Sequence, residues 1–382
     1  MSYRILITNN TLAKRAGTEL YVRDVACELL ARGHQVIAYS SLLGEVAEEL
    51  RGATVAVTDR LETVSLAPHL IHGHHHLETM TALLHFPNVP AIYFCHGWLP
   101  FEEMPPKFPR ILRYVAVDQT CKDRLVFEHG IAADRVQVLL NFVDLNRFKA
   151  RGPLPKKPLR ALVLSNNVHE GNGLSAIREA CARFQITLDA VGQSVGNSGQ
   201  RPENLLAQYD LVFAKGRAAL EALAVGNAVI TCDTAGVGAM VTPDNVEALR
   251  QVNFGIRALR HPVHVETIAA EIARYSPVQS AQASYWIRRN ALMGRVVDQL
   301  VQLYEEVIDE HRQSAAVNIA EEMRAAADYL RQLKMLTVRL QQNLVDLHHS
   351  STMRLHDRLV GLPLIGPRLK NLARFAAARW GK

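Results

Sequence analysis

Short apolar segments alternate with helix-like segments over most of the chain, and this pattern constrains the fold more than any other feature of the sequence. In the N-terminal region it predicts strands at 3–9, 35–40, 54–58, 69–73, 90–96, 112–117 and 136–141. The predicted helices of the same region are 17–32, 76–86 and 119–130. Because such alternation is typical of parallel strands with helices on both faces, we expect an α/β fold.

A second alternating set begins after the proline-rich linker 153–158, and we place a domain boundary at residue 150. Its predicted strands are 160–165, 186–191, 211–214 and 228–232. Its predicted helices are 171–184, 202–208, 217–225, 243–252, 263–275 and 279–311. We therefore predict two Rossmann-like, doubly wound domains, 1–150 and 151–311. Ligands are expected at the carboxyl ends of the strands, in the cleft between the domains.

The composition is typical of a globular protein of the cytoplasm. The 382 residues are 48% hydrophobic and 21% charged, and no apolar run approaches the roughly 20 residues that span a bilayer. The N-terminus, Met1-Ser-Tyr-Arg, enters a predicted strand immediately, so we expect no signal peptide. The five cysteines are scattered without paired spacing, which predicts reduced thiols.

One stretch of the second set has a pattern suited to an anionic ligand. The predicted strand 211–214 runs into Lys215-Gly216-Arg217, and an alanine-rich helix that carries Glu221 follows. A helix N-terminus attracts anions, glycine permits close backbone approach, and two cations add charge-assisted contacts. A carboxylate in the same helix is placed to accept hydrogen bonds from sugar hydroxyls. The pattern favours a nucleotide diphosphate sugar, although an ordinary strand–helix–strand unit with solvated charges explains it equally well.

Several segments resemble motifs of the retaining family-four glycosyltransferases, whose GT-B fold consists of two facing Rossmann-like domains. The segments lie within residues 1–300 and follow the order found in that family. They are Tyr3–Asn9, Gly17–Glu19, Leu29–Tyr39, His69–His74, Ala91–Gly97, Val136–Phe148 and Phe213–Asp233. Each motif alone is weak, whereas the ordered set is specific.

The resemblance implies a glycosyltransferase that moves a sugar from a nucleotide-sugar donor to a glycan or lipid-linked acceptor. It further implies a retaining reaction without a metal ion or other cofactor, since the nucleotide sugar is the substrate. The first domain is expected to hold the acceptor. Family members of this kind suggest surface polysaccharide or lipopolysaccharide synthesis as the setting.

The matched positions also imply site residues. His96, at the tip of a predicted strand, is expected beside the donor sugar as the catalytic residue, although a strand-end cap is the structural alternative. Glu221 is expected to hold the nucleotide ribose, and the segment Thr234–Gly238 is expected to be a loop that flanks the donor. The full set of expected donor-binding residues is Gly17, Lys215, Gly216, Arg217, Glu221 and Gly236.

The sequence departs from the family pattern at the donor site. Phe213 replaces the first glutamate of the donor motif, and the segment Leu164–Gly171 lacks the usual arginine and lysine. We expect Lys215 and Arg217 to take over the phosphate contacts. The alternatives are a catalytically silent relative that acts as a membrane-tethered scaffold, and a nucleotide-sugar epimerase.

The sequence disfavours two other ligand classes. No Gly-x-Gly-x-x-Gly turn follows the first strand, and Tyr39–Ser41 lacks the acid that holds an adenine ribose, so we do not expect NAD. Four histidines cluster near the end of a predicted strand: His72, His74, His75 and His76. Because no cysteine or carboxylate cluster accompanies them, we expect no metal site.

Residues 312–349 carry a heptad pattern. Two sets of residues recur every seven positions: Ala316, Met323, Leu330, Thr337 and Leu344, and Ile319, Ala326, Leu333, Leu340 and Leu347. This spacing is typical of a coiled-coil seam, which predicts a homo-oligomer formed through 316–347. A long helix packed on its own protein body is an equal alternative.

Residues 350–382 form a basic appendage. They contain seven Arg or Lys and one Asp, a surplus equal to the net charge of +6 of the whole chain. The nearly neutral remainder argues against nucleic-acid binding. Leu369, Leu372 and Trp380 share one face of a helix that is otherwise basic, so we predict peripheral attachment to the anionic inner face of the cell membrane. A solvated or disordered basic tail is the alternative.

Overall fold

The computed structural model describes residues 2–98, 101–197, 201–314 and 318–348. The chain divides into two compact units. The first comprises Met1–Pro106 and Arg110–Val317, and the second comprises Lys107–Pro109 and the chain from Asn318 onward. Both Rossmann-like regions lie in the first unit, and the domain boundaries at residues 150 and 311 remain predictions.

The N-terminal region forms a seven-stranded parallel sheet, called here the first sheet. Its strands are β1 (Arg4–Thr8), β2 (Gln35–Tyr39), β3 (Ala56–Thr58), β4 (Leu70–His74), β5 (Ala91–Cys95), β6 (Ile111–Ala116) and β7 (Val136–Val138). Its helices are α1 (Gly17–Ala31), α2 (Glu45–Gly52), α3 (His76–His85) and α4 (Gln119–Asp123). The spatial order is β3-β2-β1-β4-β5-β6-β7, and it reverses between β1 and β4. Loops diverge at such a reversal and leave room for a ligand.

The first sheet confirms the α/β fold class, and all seven predicted strands are present. Strands β4 and β5 are buried along their whole length, because helices cover both faces of a parallel sheet. The sequence did not predict α2, whose apolar face contains Val46 and Leu50. The helix predicted at 119–130 also differs, since α4 ends at Asp123 and a π-helix over Arg124–Glu128 continues it.

The second sheet has five strands. They are β8 (Arg160–Leu164), β9 (Thr187–Val191), β10 (Leu211–Ala214), β11 (Ala228–Asp233) and β12 (Gly236–Met240). The spatial order is β12-β11-β10-β8-β9, and only the β11–β12 pair is antiparallel. The surrounding helices are α5 (Leu174–Arg183), α6 (Pro202–Leu205), α7 (Gly216–Val225), α8 (Val246–Gln251), α9 (Val265–Ile272), α10 (Pro277–Asn290) and α11 (Met293–Gln313).

The segment Thr234–Gly238 was expected to be a loop, but it contains the turn and the start of the antiparallel strand β12. Gly236 pairs with Asp233 across the turn. Gly238 lets the strand lie close to the backbone of Ala258, because a Cβ at Gly238 would be 2.2 Å from the carbonyl oxygen of Ala258. Close backbone packing on both sides of β12 therefore explains these glycines.

The helix predicted at 279–311 is two helices, α10 and α11. At the break, the N–H of Val143 donates to the carbonyl oxygen of Ala291 at 2.9 Å. Helix α11 then lies beside α1 of the first sheet, where Arg32 donates to Asp298 at 2.5 Å. The end of the second region thus packs against the first region.

The second unit contains the long helix α12 (Ile319–His348), within the predicted heptad region. Its large apolar side chains are mostly exposed, for example Ile319 at 74% and Leu330 at 65%. Ala316 of the predicted seam and the whole predicted basic tail, 350–382, lie outside the described residues. In the described part of the chain, no helix is both long and apolar enough to cross a membrane.

Strand β10 places Phe213 in the core of the second sheet. The side chain is fully buried and belongs to a cluster with Val163, Ile177, Ile230 and Ile268. These residues come from two neighbouring strands and from helices α5 and α9. The position at which the family carries a glutamate is therefore closed to a ligand.

Restoring that glutamate is expected to disrupt the protein. Phe213→Glu removes the buried ring and places an unpaired carboxyl in the core, so it should lower the free energy of unfolding by about 4 kcal/mol or more. Phe213→Leu, an apolar control, should cost less than about 1.5 kcal/mol. Urea unfolding followed by circular dichroism measures both. An unchanged midpoint for Phe213→Glu would contradict the burial of this position.

Candidate functional site

One cavity lies at the carboxyl ends of the strands of both sheets. Its volume is about 610 Å³, within the usual range for small-molecule sites. Six of the seven predicted site residues line it: Gly17, His96, Lys215, Gly216, Arg217 and Glu221. The seventh, Gly236, is not among the lining residues. Its place in β12 is explained by packing, since a Cβ there would lie 2.7 Å from the carbonyl oxygen of His261.

Two helix N-termini border this cavity. Helix α7 begins at Gly216 and helix α1 begins at Gly17, and both residues line the cavity. The N-cap residues, Ala16 for α1 and Lys215 for α7, make no side-chain hydrogen bond to their helices. The first N–H groups of a helix have no acceptor inside the helix, so both ends offer donors and a partial positive charge. Together they suit an anionic ligand.

Lys215, at the N-cap of α7, brings a cation to the same place. Its ammonium group forms an ion pair with Asp233 at the end of β11. The side chain of Lys215 is still 41% exposed, whereas that of Asp233 is 1% exposed. Asp233 also accepts hydrogen bonds from Ser165 Oγ at 2.9 Å and Asn167 Nδ2 at 3.2 Å. Burial alone would raise the pKa of Asp233, but Lys215 and these hydrogen bonds lower it. Asp233 thus stays ionised and orients Lys215.

Arg217 is held by carboxylates on both sides of the cavity. Its Nε donates to Glu221 Oε1 at 2.8 Å, and a terminal nitrogen donates to Asp24 on α1. Asp24 also accepts hydrogen bonds from Arg147 at 2.9 and 3.1 Å and from Arg23 at 2.6 and 3.1 Å. Burial would lower the pKa of Arg217, but the two carboxylates raise it. Arg217 and Glu221 thus join an ionic network between the two regions.

His96 follows β5 and lines the cavity close to α1. Its Nε2 lies 2.7 Å from Nδ1 of His74, the last residue of β4, and the two rings stack with centroids 4.8 Å apart. Tyr21 of α1 packs edge-on against His96 with centroids 4.8 Å apart. Burial lowers the pKa of both histidines well below the usual value, so both rings are neutral near pH 7.

Glu103 is a buried carboxyl that the sequence analysis missed. Its Oε2 accepts a hydrogen bond from the backbone N–H of His96 at 2.8 Å, and its Oε1 lies 3.8 Å from Nε2 of His75. Burial raises the pKa of Glu103 to about 7, although the His96 N–H and the charge of Arg124 act in the opposite direction. A group that titrates near neutral pH therefore supports the backbone of His96.

The four clustered histidines do not converge on one point. His72 Nδ1 bonds the hydroxyl of Tyr304 at 2.6 Å, and His74 bonds His96. His75 Nδ1 accepts from the backbone N–H of Asn10 at 3.2 Å. Among the described residues, no group of three or more His, Cys, Asp or Glu is arranged to hold a metal ion.

The sequence analysis did not predict three charged residues near the site: Asp233, Asp24 and Glu103. The sequence contains a signal for Asp233 but little for the other two. Asp233 ends β11 next to β10, and the carboxyl ends of neighbouring parallel strands meet, so its pairing with Lys215 was open to prediction. Asp24 is one of several charges on α1, and no spacing singles it out. Glu103 lies in a short turn, Phe101–Glu103, without a motif.

Comparison with known proteins agrees with this architecture. Residues 15–147 match the model of a family described as Glycosyltransferase Family 4. HepE from Anabaena, solved with UDP-glucose, superposes with a TM-score of 0.59 at 16% identity, covering 80% of this chain and 100% of that one. A Rickettsia africae glycosyltransferase gives a TM-score of 0.58 at 14% identity, with 80% and 99% covered. No curated protein matches the chain.

A third structure, a mutant O-GlcNAc transferase from Thermobaculum terrenum, gives a TM-score of 0.53 at 16% identity. It covers 82% of this chain and 69% of that one. The chain has the GT-B fold. The resemblance to GT-B glycosyltransferases that the sequence motifs indicated is thereby confirmed, and the GT-B cleft is the cavity between the first and second sheets.

The raised pKa of Glu103 predicts a pH-dependent stability. Its folded-state pKa of about 7 exceeds the roughly 4.3 of an unfolded chain, so ionisation opposes folding increasingly as pH rises from 5 to 8. Glu103→Gln keeps an acceptor for the His96 N–H and removes this cost. The variant should be more stable than wild type by about 3 kcal/mol at pH 8 and by much less at pH 5.

Urea unfolding at both pH values measures the difference. Glu128→Gln, which removes a carboxylate from an exposed site, serves as the control and should stay within about 0.5 kcal/mol of wild type at both. Equal stability of Glu103→Gln and wild type at pH 8 would contradict a costly buried carboxylate.

Proposed function

We propose that the protein is a glycosyltransferase that moves a sugar from a nucleotide-sugar donor to a glycan or lipid-linked acceptor. The observation that carries the proposal is the convergence of two helix N-termini, Lys215 and His96 on the GT-B cleft, as seen in the described residues. This arrangement suits a ligand with a pyrophosphate at one end and a polar ring at the other. HepE, which has the same fold, was solved in complexes with UDP-glucose and UDP.

The donor pyrophosphate is placed at the N-terminus of α7. Gly216 already donates its N–H to the carbonyl oxygen of Phe254 at 3.2 Å, which leaves the next N–H groups of the helix for the ligand. Gly216 has φ +59° and open space where a Cβ would stand, so the phosphate can approach its backbone closely. Lys215 supplies the compensating charge beside these donors.

For Arg217 we propose a role other than the direct phosphate contact that the sequence analysis expected. Its guanidinium group bonds Asp24 and Glu221, and these two carboxylates compensate its charge. We therefore assign the first phosphate contacts to Lys215 and the helix N–H groups. Arg217 then holds the two sides of the cleft at the spacing that the donor requires.

The proposed chemistry follows from where charge develops. As the bond from sugar to phosphate breaks, negative charge accumulates on the leaving diphosphate, where Lys215 and the end of α7 stabilise it. His96 is the proposed catalytic residue, and as a neutral ring it contacts the sugar through a hydrogen bond. The cleft limits the access of water, so the sugar passes to the acceptor. We propose no covalent nucleophile.

The finer assignments rest on the family resemblance and on the sequence. A retaining, metal-independent reaction and a place in surface polysaccharide or lipopolysaccharide synthesis follow from the resemblance. A cytoplasmic protein attached peripherally to the inner face of the cell membrane follows from the basic surplus of residues 350–382. A homo-oligomer formed through 316–347 follows from the heptad pattern.

One observation favours a second candidate, a catalytically silent scaffold. Phe213 is buried where the family carries a glutamate, and both Lys215 and Arg217 are already paired with carboxylates. A protein of this kind binds no donor. An epimerase is distinguished by its product, a new sugar isomer formed without an acceptor.

Donor binding tests the proposal directly. Isothermal titration calorimetry with UDP-, GDP- and ADP-sugars should identify a donor that binds wild type. Lys215→Met should lower the affinity for that donor about 10- to 100-fold, which is the effect of losing one charge-assisted hydrogen bond. Lys215→Arg should retain most of the affinity.

Lys157→Met is the matched control, because it removes the same charge from an exposed position of the linker. It should leave the affinity unchanged. If no nucleotide sugar binds wild type, the transferase proposal fails and the scaffold is supported. A donor that binds Lys215→Met as tightly as wild type would remove Lys215 from the site.

Membrane attachment is tested by vesicle sedimentation. Full-length protein should pellet with vesicles that contain phosphatidylglycerol, and it should stay in solution with pure phosphatidylcholine, because the basic segment needs an anionic surface. A chain that ends at His349 should stay in solution with both, and added salt should release the full-length protein. Equal partitioning of the two chains would contradict a role for residues 350–382.

A further inference from the structure

The hydrogen bond between His74 and His96 determines more than the position of a ring. Each neutral imidazole carries one N–H, and the bond of 2.7 Å joins Nδ1 of His74 to Nε2 of His96. One of these two nitrogens therefore carries the proton. The position of this proton also determines whether Nδ1 of His96 carries an N–H or a lone pair. The tautomer of His74 is thus coupled to the chemistry of the cavity wall.

Two arrangements satisfy this bond. In the first, His74 Nδ1–H donates, so the proton of His96 lies on Nδ1 and His74 Nε2 is left with a lone pair. In the second, His96 Nε2–H donates, so His74 must carry its proton on Nε2. The first arrangement leaves a lone pair without a partner at His74 Nε2, and the second leaves an N–H without a partner there.

Nε2 of His74 decides between the arrangements. This atom is buried and has no hydrogen-bond partner among the described residues. Buried N–H groups without an acceptor are rarer in proteins than acceptors without a donor, so the arrangement that leaves a lone pair there is favoured. Both rings stay neutral because burial lowers the pKa of each.

Packing holds His74 in the orientation that this bond requires. Its ring stacks on His72 with centroids 4.5 Å apart and lies 5.1 Å from Phe94 and 5.6 Å from Tyr21. The backbone N–H of His74 donates to Thr8 Oγ1 at 3.1 Å. The ring therefore has aromatic neighbours from β4, β5 and α1, which restrict its rotation.

We propose that His74 is a positioning residue that donates its Nδ1–H to His96, so that His96 presents an Nδ1–H donor to a sugar oxygen in the cleft. His74 itself does not contact the ligand. The role in sugar transfer rests on the proposed function. The tautomer does not, and it is measured independently.

Long-range ¹H–¹⁵N spectra of the full-length protein report the tautomer. The signals of His96 are assigned by their loss in His96→Gln. In wild type, Nδ1 of His96 should be protonated and Nε2 should have the shift of an unprotonated nitrogen. His74→Phe keeps an aromatic ring but removes the donor, so His96 should shift toward the Nε2–H form. His74→Asn, which retains a donor near the position of Nδ1, should preserve the wild-type pattern.

Turnover with the donor identified by calorimetry provides the second readout. His74→Phe should lower kcat about tenfold with little change in KM, as expected for one misdirected hydrogen bond, and His74→Asn should recover most of the loss. His72→Phe is the matched control, since His72 stacks on His74 but bonds Tyr304, and it should not change the tautomer of His96.

Three results would overturn the proposal: an Nε2–H tautomer of His96 in wild type, an unchanged tautomer in His74→Phe, or a loss of the wild-type pattern in His74→Asn. Absence of turnover in wild type would count against the proposed function alone, because the ring spectra still decide the role of His74. If His74→Phe does not fold, the wild-type and His74→Asn spectra decide it.

Discussion

The carboxylate of Asp24 is the interaction on which the geometry of the cleft depends. It accepts hydrogen bonds from three guanidinium groups: Arg23 on its own helix, Arg147 in the segment between the sheets, and Arg217 on α7. A buried carboxylate is stable only when its charge is compensated, and here the compensation comes from both halves of the fold. The network thereby fixes the distance between the N-termini of α1 and α7.

This network also explains how the cleft remains suited to an anion although its arginine is already paired. Arg217 is neutralised by Asp24 and Glu221, so its charge serves the fold. In the proposed site, the remaining attraction for an anion comes from Lys215 and from the N–H groups at two helix ends. Such donors are fixed by the backbone and need no reorganisation when a ligand arrives. The site therefore depends on backbone geometry more than the motif suggested.

The sequence predicted the fold well where hydrophobic periodicity was strong. Every strand of the first sheet was found because buried parallel strands are nearly continuous apolar runs. The errors lie where glycine or a tertiary contact decided the conformation. The segment Thr234–Gly238, which includes the start of β12, was taken for a loop because it resembles a loop of the family. The break between α10 and α11 depends on Val143, which is distant in sequence.

The candidate site divides in the same way. The order of motifs and the Lys-Gly-Arg corner placed six residues at one cleft, since the carboxyl ends of strands converge in any doubly wound sheet. The pairing of Arg217 with Asp24, the carboxyl of Glu103 and the bond from His74 to His96 join residues far apart in the chain. Local pattern determined which elements form and which ends carry polar groups. Only the packing of the two sheets paired Asp24 with Arg147 and Arg217, because these contacts join residues whose distances no spacing along the chain encodes.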